Sequence, residues 1–290
     1  ISEYDYRING GLSADFTGST LEDLNGNLEI KDILIIYKGE MYRIDSLLFV
    51  SIIDSGKTDI SIKSNLMDAA FKGNIYLSDI TEALKTHFKG KLSDTLNSNQ
   101  KQQDFTFDVK IHDPDILTEV FLPELNSFET GIIKGEFDNK KDILALDVNF
   151  PKIDYADIVI DSLSLDVSST SSKINSEISI KRVSYDTLSV QNISFVASTT
   201  GNEALVSLNV QKQNKENLLQ LKGKLNEANR AFRLHFEEGE QIINSNQWKV
   251  NQENELYFGD STFFNDVVFS NDNQKVSLNT KNQFHELSFS

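Results

Sequence analysis

Ile158-Val-Ile-Asp-Ser-Leu-Ser-Leu-Asp-Val-Ser168 is the stretch whose reading decides the fold class. From Leu163 apolar and polar residues alternate strictly. Leu163, Leu165 and Val167 take one side and Ser164, Asp166 and Ser168 the other, the period of a half-buried strand. The phase slips at Asp161–Ser162, because Ile158 and Ile160 have the opposite parity. A bulge or a tight turn is the usual cause of such a slip. A close copy, Tyr42-Arg-Ile-Asp-Ser-Leu-Leu-Phe-Val50, comes earlier, and a looser one, Val183-Ser-Tyr-Asp-Thr-Leu-Ser-Val190, follows. Their unequal spacing is not that of a strict solenoid, and it predicts one strand-turn-strand device reused along an extended sheet.

Working outward, residues 1–77 read as short strands punctuated by Asn9-Gly10-Gly11, Asn25-Gly26-Asn27 and Lys38-Gly39-Glu40, which are turn chemistry. At Ser78 the period changes. Ile80, Ala83, Leu84, His87 and Phe88 fall on one face of a helix over 78–88, with Ser78 or Asp79 as cap and Asp79/Glu82 at capping-box spacing. Residues 89–103 lose all pattern and read as a mobile connection. Phe105, Phe107, Val109 and Ile111 then alternate as a clean strand. Asp113, Pro114 and the stripe Ile116, Leu117, Val120 and Phe121 predict a second short helix over 113–122.

From about 130 onward the chain reads as β throughout. The inward sets are Leu144, Leu146, Val148 and Phe150; Ile174, Ile178 and Ile180; Val206, Leu208 and Val210; Leu219, Leu221 and Leu225; and Phe232, Leu234 and Phe236. A last segment carries Trp248, Val250, Leu256, Phe258 and the cluster Phe263, Phe264, Val267, Val268 and Phe269. Short polar turns favour an antiparallel meander of roughly fifteen to twenty strands. A flat sheet of that width is disfavoured, so it must curl or fold over. The natural division is 1–103, with the helix and connection, and 104–290, together one continuous elongated domain.

The 290 residues carry 39% hydrophobic side chains, and the 14 Gly raise this to about 44%, which favours a thin core over a multilayer one. The formal charge is −16, from 44 acidic and 28 basic residues, and no basic patch with interleaved aromatics occurs, so nucleic acid and anionic membrane surfaces are poor partners. There is no cysteine, which excludes disulfides and thiolate metal sites. No run of about 18 apolar residues is present, and the opening at Ile1 leads us to expect a fragment with its targeting signals elsewhere.

No catalytic constellation emerges. His87, His112, His235 and His285 sit in unrelated segments and read as structural. In His112-Asp113-Pro114-Asp115 the Asp-Pro pair is explained by a helix start. Asn271-Asp272-Asn273 lacks the Gly and distal Glu of a calcium loop and reads as a hairpin turn. Gly10-Gly11, Gly131 and Gly135 lack phosphate-loop context. The expectation is a non-enzyme without metal or cofactor. The inward stripe is either the core of a closed sandwich or barrel, or the lining of an open apolar groove; alternation is compatible with both.

The series Leu24-Asn-Gly-Asn-Leu-Glu-Ile30, Tyr42-Arg-Ile-Asp-Ser-Leu47 and Ala69-Ala-Phe-Lys-Gly-Asn-Ile-Tyr-Leu77, followed by the helix, resembles TamB-type translocation and assembly module proteins of the Bacteroidota branch. Val109-Lys-Ile-His-Asp-Pro-Asp-Ile-Leu117, Gly131 to Phe137 and the Asp161-Ser-Leu163 strand continue the likeness in order. It covers most of the chain and rests on ordered strand units. The resemblance implies an AsmA-like, bridge-type protein: a long curled antiparallel β-sheet, folded lengthwise like a taco into a groove with an apolar interior, plus two short amphipathic helices. It implies a periplasmic chain in the cell envelope, anchored to the inner membrane outside this fragment. The implied role is phospholipid transport between the membranes, with outer-membrane biogenesis and protein translocation alongside. Phospholipid acyl chains and an outer-membrane barrel assembly protein of the TamA type would be the partners.

On that reading the lining is Phe105, Phe107, Val109, Leu144, Leu146, Val148, Leu163, Leu165, Val167, Ile178, Ile180, Val206 and Leu208. Ile80, Ala83, Leu84 and Phe88 would cover part of the groove, as a fixed cap or as a lid displaced by lipid. The rivals are a chaperone-like module that pairs sheet edges with unfolded barrel strands, and a structural sandwich or adhesin.

Overall fold

The structure, a computed structural model, describes residues 7–20, 22–89, 101–112, 117–118, 122, 124–200, 202–228, 231–239, 241–259, 261–272, 274–281 and 284–289. They hold twenty-two strands, all paired antiparallel, and one α-helix. Strands β1 (Arg7–Thr17), β2 (Asn25–Tyr37), β3 (Glu40–Asp54), β4 (Lys57–Ser64) and β5 (Met67–Asn74) meander hairpin by hairpin. A 3-10 turn (Leu77–Asp79) and helix α1 (Ile80–Lys89) interrupt the chain before β6 (Asp104–Ile111) pairs with β5. Both β7 (Leu125–Phe128) and β8 (Gly131–Asp138) pair with β9 (Ile143–Tyr155), and β8 bridges it to β6. The meander resumes through β10 (Ile158–Ser169), β11 (Ile174–Tyr185), β12 (Leu188–Thr200), β13 (Glu203–Gln211) and β14 (Asn217–Ala228).

At β14 the sheet forks. One half of β14 pairs with β15 (Ala231–Phe236) and the other half with β16 (Gln241–Ile243). One arm continues from β15 to β18 (Glu255–Phe258) and β19 (Phe263–Asn265). The other runs from β16 through β17 (Asn246–Val250), β20 (Val267–Ser270), β21 (Lys275–Lys281) and β22 (Phe284–Phe289). The strand total exceeds the fifteen to twenty expected because this end breaks into strands of three to five residues, β16 to β20, too short for alternation to register.

The recurring sequence unit resolves into two devices. At Asp161–Ser162 the strand runs on, but the ladder skips Ser162 against both neighbours, and Ser162 takes φ 54°. In the earlier copy the skipped pair is Asp45 against Asp32, with Asp32 at φ 50°. Here the consequence is visible in the packing. Ile30 and Leu47 lie on one side of the slip, Ile33 and Ile44 on the other, and all four belong to one apolar cluster with Tyr37. A parity slip in the sequence thus cancels a backbone irregularity and keeps the apolar side chains on one face. Arg43 bonds Asp32 across the slip at 2.7 Å, and Arg182 pairs with Asp161 at the other. The third copy differs: Asp186, at φ 50°, turns a two-residue hairpin between Tyr185 and Leu188.

Two expected turns are corrected. Asn9-Gly10-Gly11 lies inside β1, where the register shifts, and Asn25-Gly26-Asn27 opens β2. Lys38-Gly39 is a turn, with both residues at positive φ. Asn271 closes the expected polar hairpin, its N–H donating to Gln274 O and its side chain accepting from Gln274 N–H, each at 2.9 Å. The helix over 113–122 falls mostly outside the described residues; Leu117 and Thr118 are π-helical, with Leu122 N–H donating to Leu117 O at 2.7 Å. Most of the 89–103 connection lies outside them too. Its end is pinned, because Gln103 is buried and accepts from Tyr76 N–H at 3.1 Å.

A left-handed residue other than Gly costs about 1–2 kcal/mol, most for β-branched side chains. Ser162→Gly should therefore raise the urea unfolding midpoint and Ser162→Val lower it, each by about 1 kcal/mol in free energy.

Candidate apolar face

Opposed residues of an antiparallel pair share a face, so the registers can be followed from strand to strand. One row runs Ala69–Val109–Ile133–Val148–Leu165–Ile178–Phe195–Leu208–Leu221, from β5 to β14. At about 4.8 Å per strand this row extends for about 40 Å without a polar side chain. On one side of it lies Phe71–Phe107–Gly135–Leu146–Val167–Ser176–Ala197–Val206. On the other lies Ile111–Gly131, and Phe150–Leu163–Ile180–Ile193–Val210–Leu219. Phe105, Phe137 and Leu144 form a marginal row. All thirteen lining residues expected from the sequence therefore stand on one face.

Strand glycines on this face make room for rings. A Cβ on Gly131 would lie 2.0 Å from the Phe150 ring, and one on Gly135 2.5 Å from that of Phe107.

The face is not uniformly buried. Of the thirteen, Phe105, Leu144 and Val167 are buried and the other ten are half-buried. The three buried ones share a cluster with Ala83 of α1 and with Phe137, and Ile80 and Leu84 pack against it. Under α1 a second layer completes the burial of these three; elsewhere, up to the fork, each strand's main contacts are its ladder neighbours. Helix α1 covers the margin where β8 turns into β9 and β10 into β11, and leaves the long row beside it.

Ile80, Ala83, Leu84 and His87 of the expected stripe turn inward, and Phe88, expected among the covering residues, does not. Ala83 is 3% exposed, but Phe88 is 40% exposed and outside the cluster. The inner position belongs to His87, whose Nε2 lies 2.8 Å from Ser169 Oγ and whose Nδ1 lies 3.2 Å from Asp142 Oδ1. His87 and Phe88 stand a hundred degrees apart at the edge of one face, so the period alone does not decide which of the two turns inward. Ser78 and Asp79 sit in the 3-10 turn ahead of α1, where the Ser78 hydroxyl donates to Glu22 at 2.7 Å.

Beside this contact Asp138 is buried at the β8–β9 turn. Burial alone would push its carboxyl up. The N–H groups of Lys141 and Lys140, at 2.8 and 3.0 Å, and the Lys141 ammonium at 3.0 Å outweigh this and hold it below the usual aspartate range. Of the other histidines, His112 bonds Asp68 at 2.9 Å and His235 bonds Asn254 O at 2.8 Å, and the side chain of His285 lies outside the described residues. Among the described residues no group of three His, Asp or Glu is placed to hold a metal, and no helix is long and apolar enough to cross a membrane.

No protein-family model, no curated protein and no solved structure matches this chain.

Two outcomes follow from the helix contact. Ala83→Asp sets a carboxylate against Phe105 and Phe137, a cost of at least about 3 kcal/mol that a ten-residue helix cannot meet alone. Amide hydrogen exchange should then lose its protection across Ile80–Lys89 and keep it in β9 and β10. Asp138, with its folded pKa depressed, contributes stability fully above its unfolded value of about 3.9 and loses it as pH falls through the lower folded value. Urea midpoints of Asp138→Asn should be below wild type at pH 6 and converge with it in stronger acid.

Proposed function

We propose that this chain is a bridge segment whose apolar face carries phospholipid acyl chains across an aqueous compartment between two membranes. The observation that supports it is the nine-strand row from Ala69 to Leu221, unbroken by polar side chains and half-buried at every position from Val109 to Leu221. A core awaiting nothing would be buried along its length. The acidic exterior suits water, and each methylene placed on the row would contribute about 0.8 kcal/mol. An acyl chain needs no polar recognition, which agrees with the lack of a catalytic or headgroup-reading cluster on this face. The resemblance to TamB-type, AsmA-like proteins points the same way. On this reading the curled sheet forms a groove, the chain works in the periplasm with an inner-membrane anchor outside the fragment, and a barrel assembly protein of the TamA type receives the far end.

A second reading, a chaperone-like module that pairs with unfolded barrel strands, is favoured by one feature. The outer edge of β1 has no ladder partner among the described residues, and Ile8 and Leu12 there are 67% and 69% exposed.

Lipid extraction and mass spectrometry of the purified protein test the first reading. Phospholipid should co-purify, and Val148→Arg or Leu208→Arg should reduce it while the strand signal in circular dichroism stays. Denying even two methylenes their contact costs about 1.6 kcal/mol, roughly tenfold in affinity. Absence of lipid from the wild-type protein, and no uptake from vesicles, would sink the proposal.

A further inference from the structure

The two ends of the apolar face are built differently. At the β1 end it runs out into solvent, with Leu12 opposite half-buried Ile30 and itself 69% exposed. Beyond β14 the opposite holds. The arms that diverge there meet again: Phe264 N–H of β19 donates to Thr280 Oγ1 of β21 at 2.8 Å, and Asp266 N–H to Asn279 Oδ1 at 3.1 Å. Between the arms lies a further core, with Trp248 and Val250 each 7% exposed, Phe269 6% and Val267 0%. Leu221 and Phe236 pack against it, and the Phe236 and Phe269 rings meet edge to face at 5.3 Å. Leu221 is the last residue of the long row. The row therefore runs straight into a sealed core.

The fork that creates this seal is held by two buried amides. Gln241, 1% exposed, accepts from Lys222 N–H at 2.8 Å and donates to Glu237 O at 2.8 Å. Asn254, 0% exposed, accepts from Phe236 N–H at 2.7 Å and donates to Asn251 O at 2.6 Å. Backbone groups freed where β15 and β16 part from one strand are thus satisfied inside the protein, and leaving them unpaired would cost about 1–3 kcal/mol each. The fork is a fixed feature of the fold.

We propose that the apolar face is blind at its C-terminal end, so that acyl chains travel the rows between β1 and β14 and leave the face there without entering the forked end. This rests on the lipid-carrying reading above, and adds a boundary to it.

Trp248 is the single tryptophan of the chain and lies inside the seal. Vesicles of a phosphatidylcholine brominated on its acyl chains quench only an indole that the chains touch. Three proteins are compared: the wild type, Leu12→Trp in a Trp248→Phe background, and Leu208→Trp in the same background. Each is first checked for strand content by circular dichroism. Position 12 is exposed, so at least that variant carries little packing strain. Quenching at positions 12 and 208 with Trp248 unaffected is the expected result. Quenching of Trp248 to the same extent as position 208 would overturn the blind end and leave the lipid-carrying reading standing. Absence of quenching at all three positions would overturn both.

Discussion

The structure depends on keeping every apolar side chain on one face across more than a dozen antiparallel pairings. In a strand the side-chain period is two, so a one-residue error turns the whole apolar set to solvent. Such errors do occur in the backbone. Asp32, Ser162 and Asn192 all sit mid-strand at φ near 50°, where the ladder misses a pair. Around Asp32 the sequence shifts its own phase by one residue at the same point, and the partner strand shifts with it, so Ile30 and Ile33 end in one cluster. Exposed Arg–Asp pairs lie at the slips by Asp32 and Ser162, worth about 1 kcal/mol at most. They mark the irregularity; the phase match is what preserves the face.

That is also why the central stretch was legible. The slip at Asp161–Ser162 is visible in the sequence because apolar parity changes there, and the backbone changes with it. That the thirteen residues share one face was readable for the same reason, since alternation reports a face directly. Where the expectations missed, the physics lay outside local pattern. Gly10 and Gly26 have turn chemistry, but the strands pass straight through them: Gly26 lies so close to β1 that a Cβ would fall 1.9 Å from Asp15 O. His87 buries in place of Phe88 because two polar partners, Ser169 and Asp142, are brought to it from more than fifty residues away. The buried amides of Gln103, Gln241 and Asn254 gave no signal at all. Each answers a backbone group exposed by a chain break or a fork, which exists only in three dimensions.

The same separation explains the uneven burial. Residues of one row share hydrophobicity and register, yet differ in exposure according to what lies above them. Val167, under the helix, is buried, while Leu165, one step along the same strand face, is half-buried at the edge of that contact. At the forked end, two arms of the sheet cover each other, and Val267 reaches 0% exposure. Sequence alternation encodes the face; cover is a property of topology. A chain can therefore read as a uniform sandwich core and still present a long stretch that no second layer occupies among the described residues.

The position of α1 bears on how such a face could work. A lid would have to lie across the long row and be free to leave it. This helix lies along a margin, where Ala83 meets Phe105, Phe137, Leu144 and Val167, and His87 ties it to the β9 and β10 ends of the adjoining turns. Removing it would expose its own small cluster and strand a buried imidazole, but would uncover little of Val148, Ile178 or Leu208. As it lies here it forms a wall along that margin. Along the same margin the buried hydroxyls of Ser169 and Thr199 interrupt the apolar surface and accept from Leu144 N–H and Ile174 N–H, each at 2.7 Å. Under the lipid-carrying proposal, the path would then be set by the sheet rows themselves, with one margin walled by α1 and the forked end sealed.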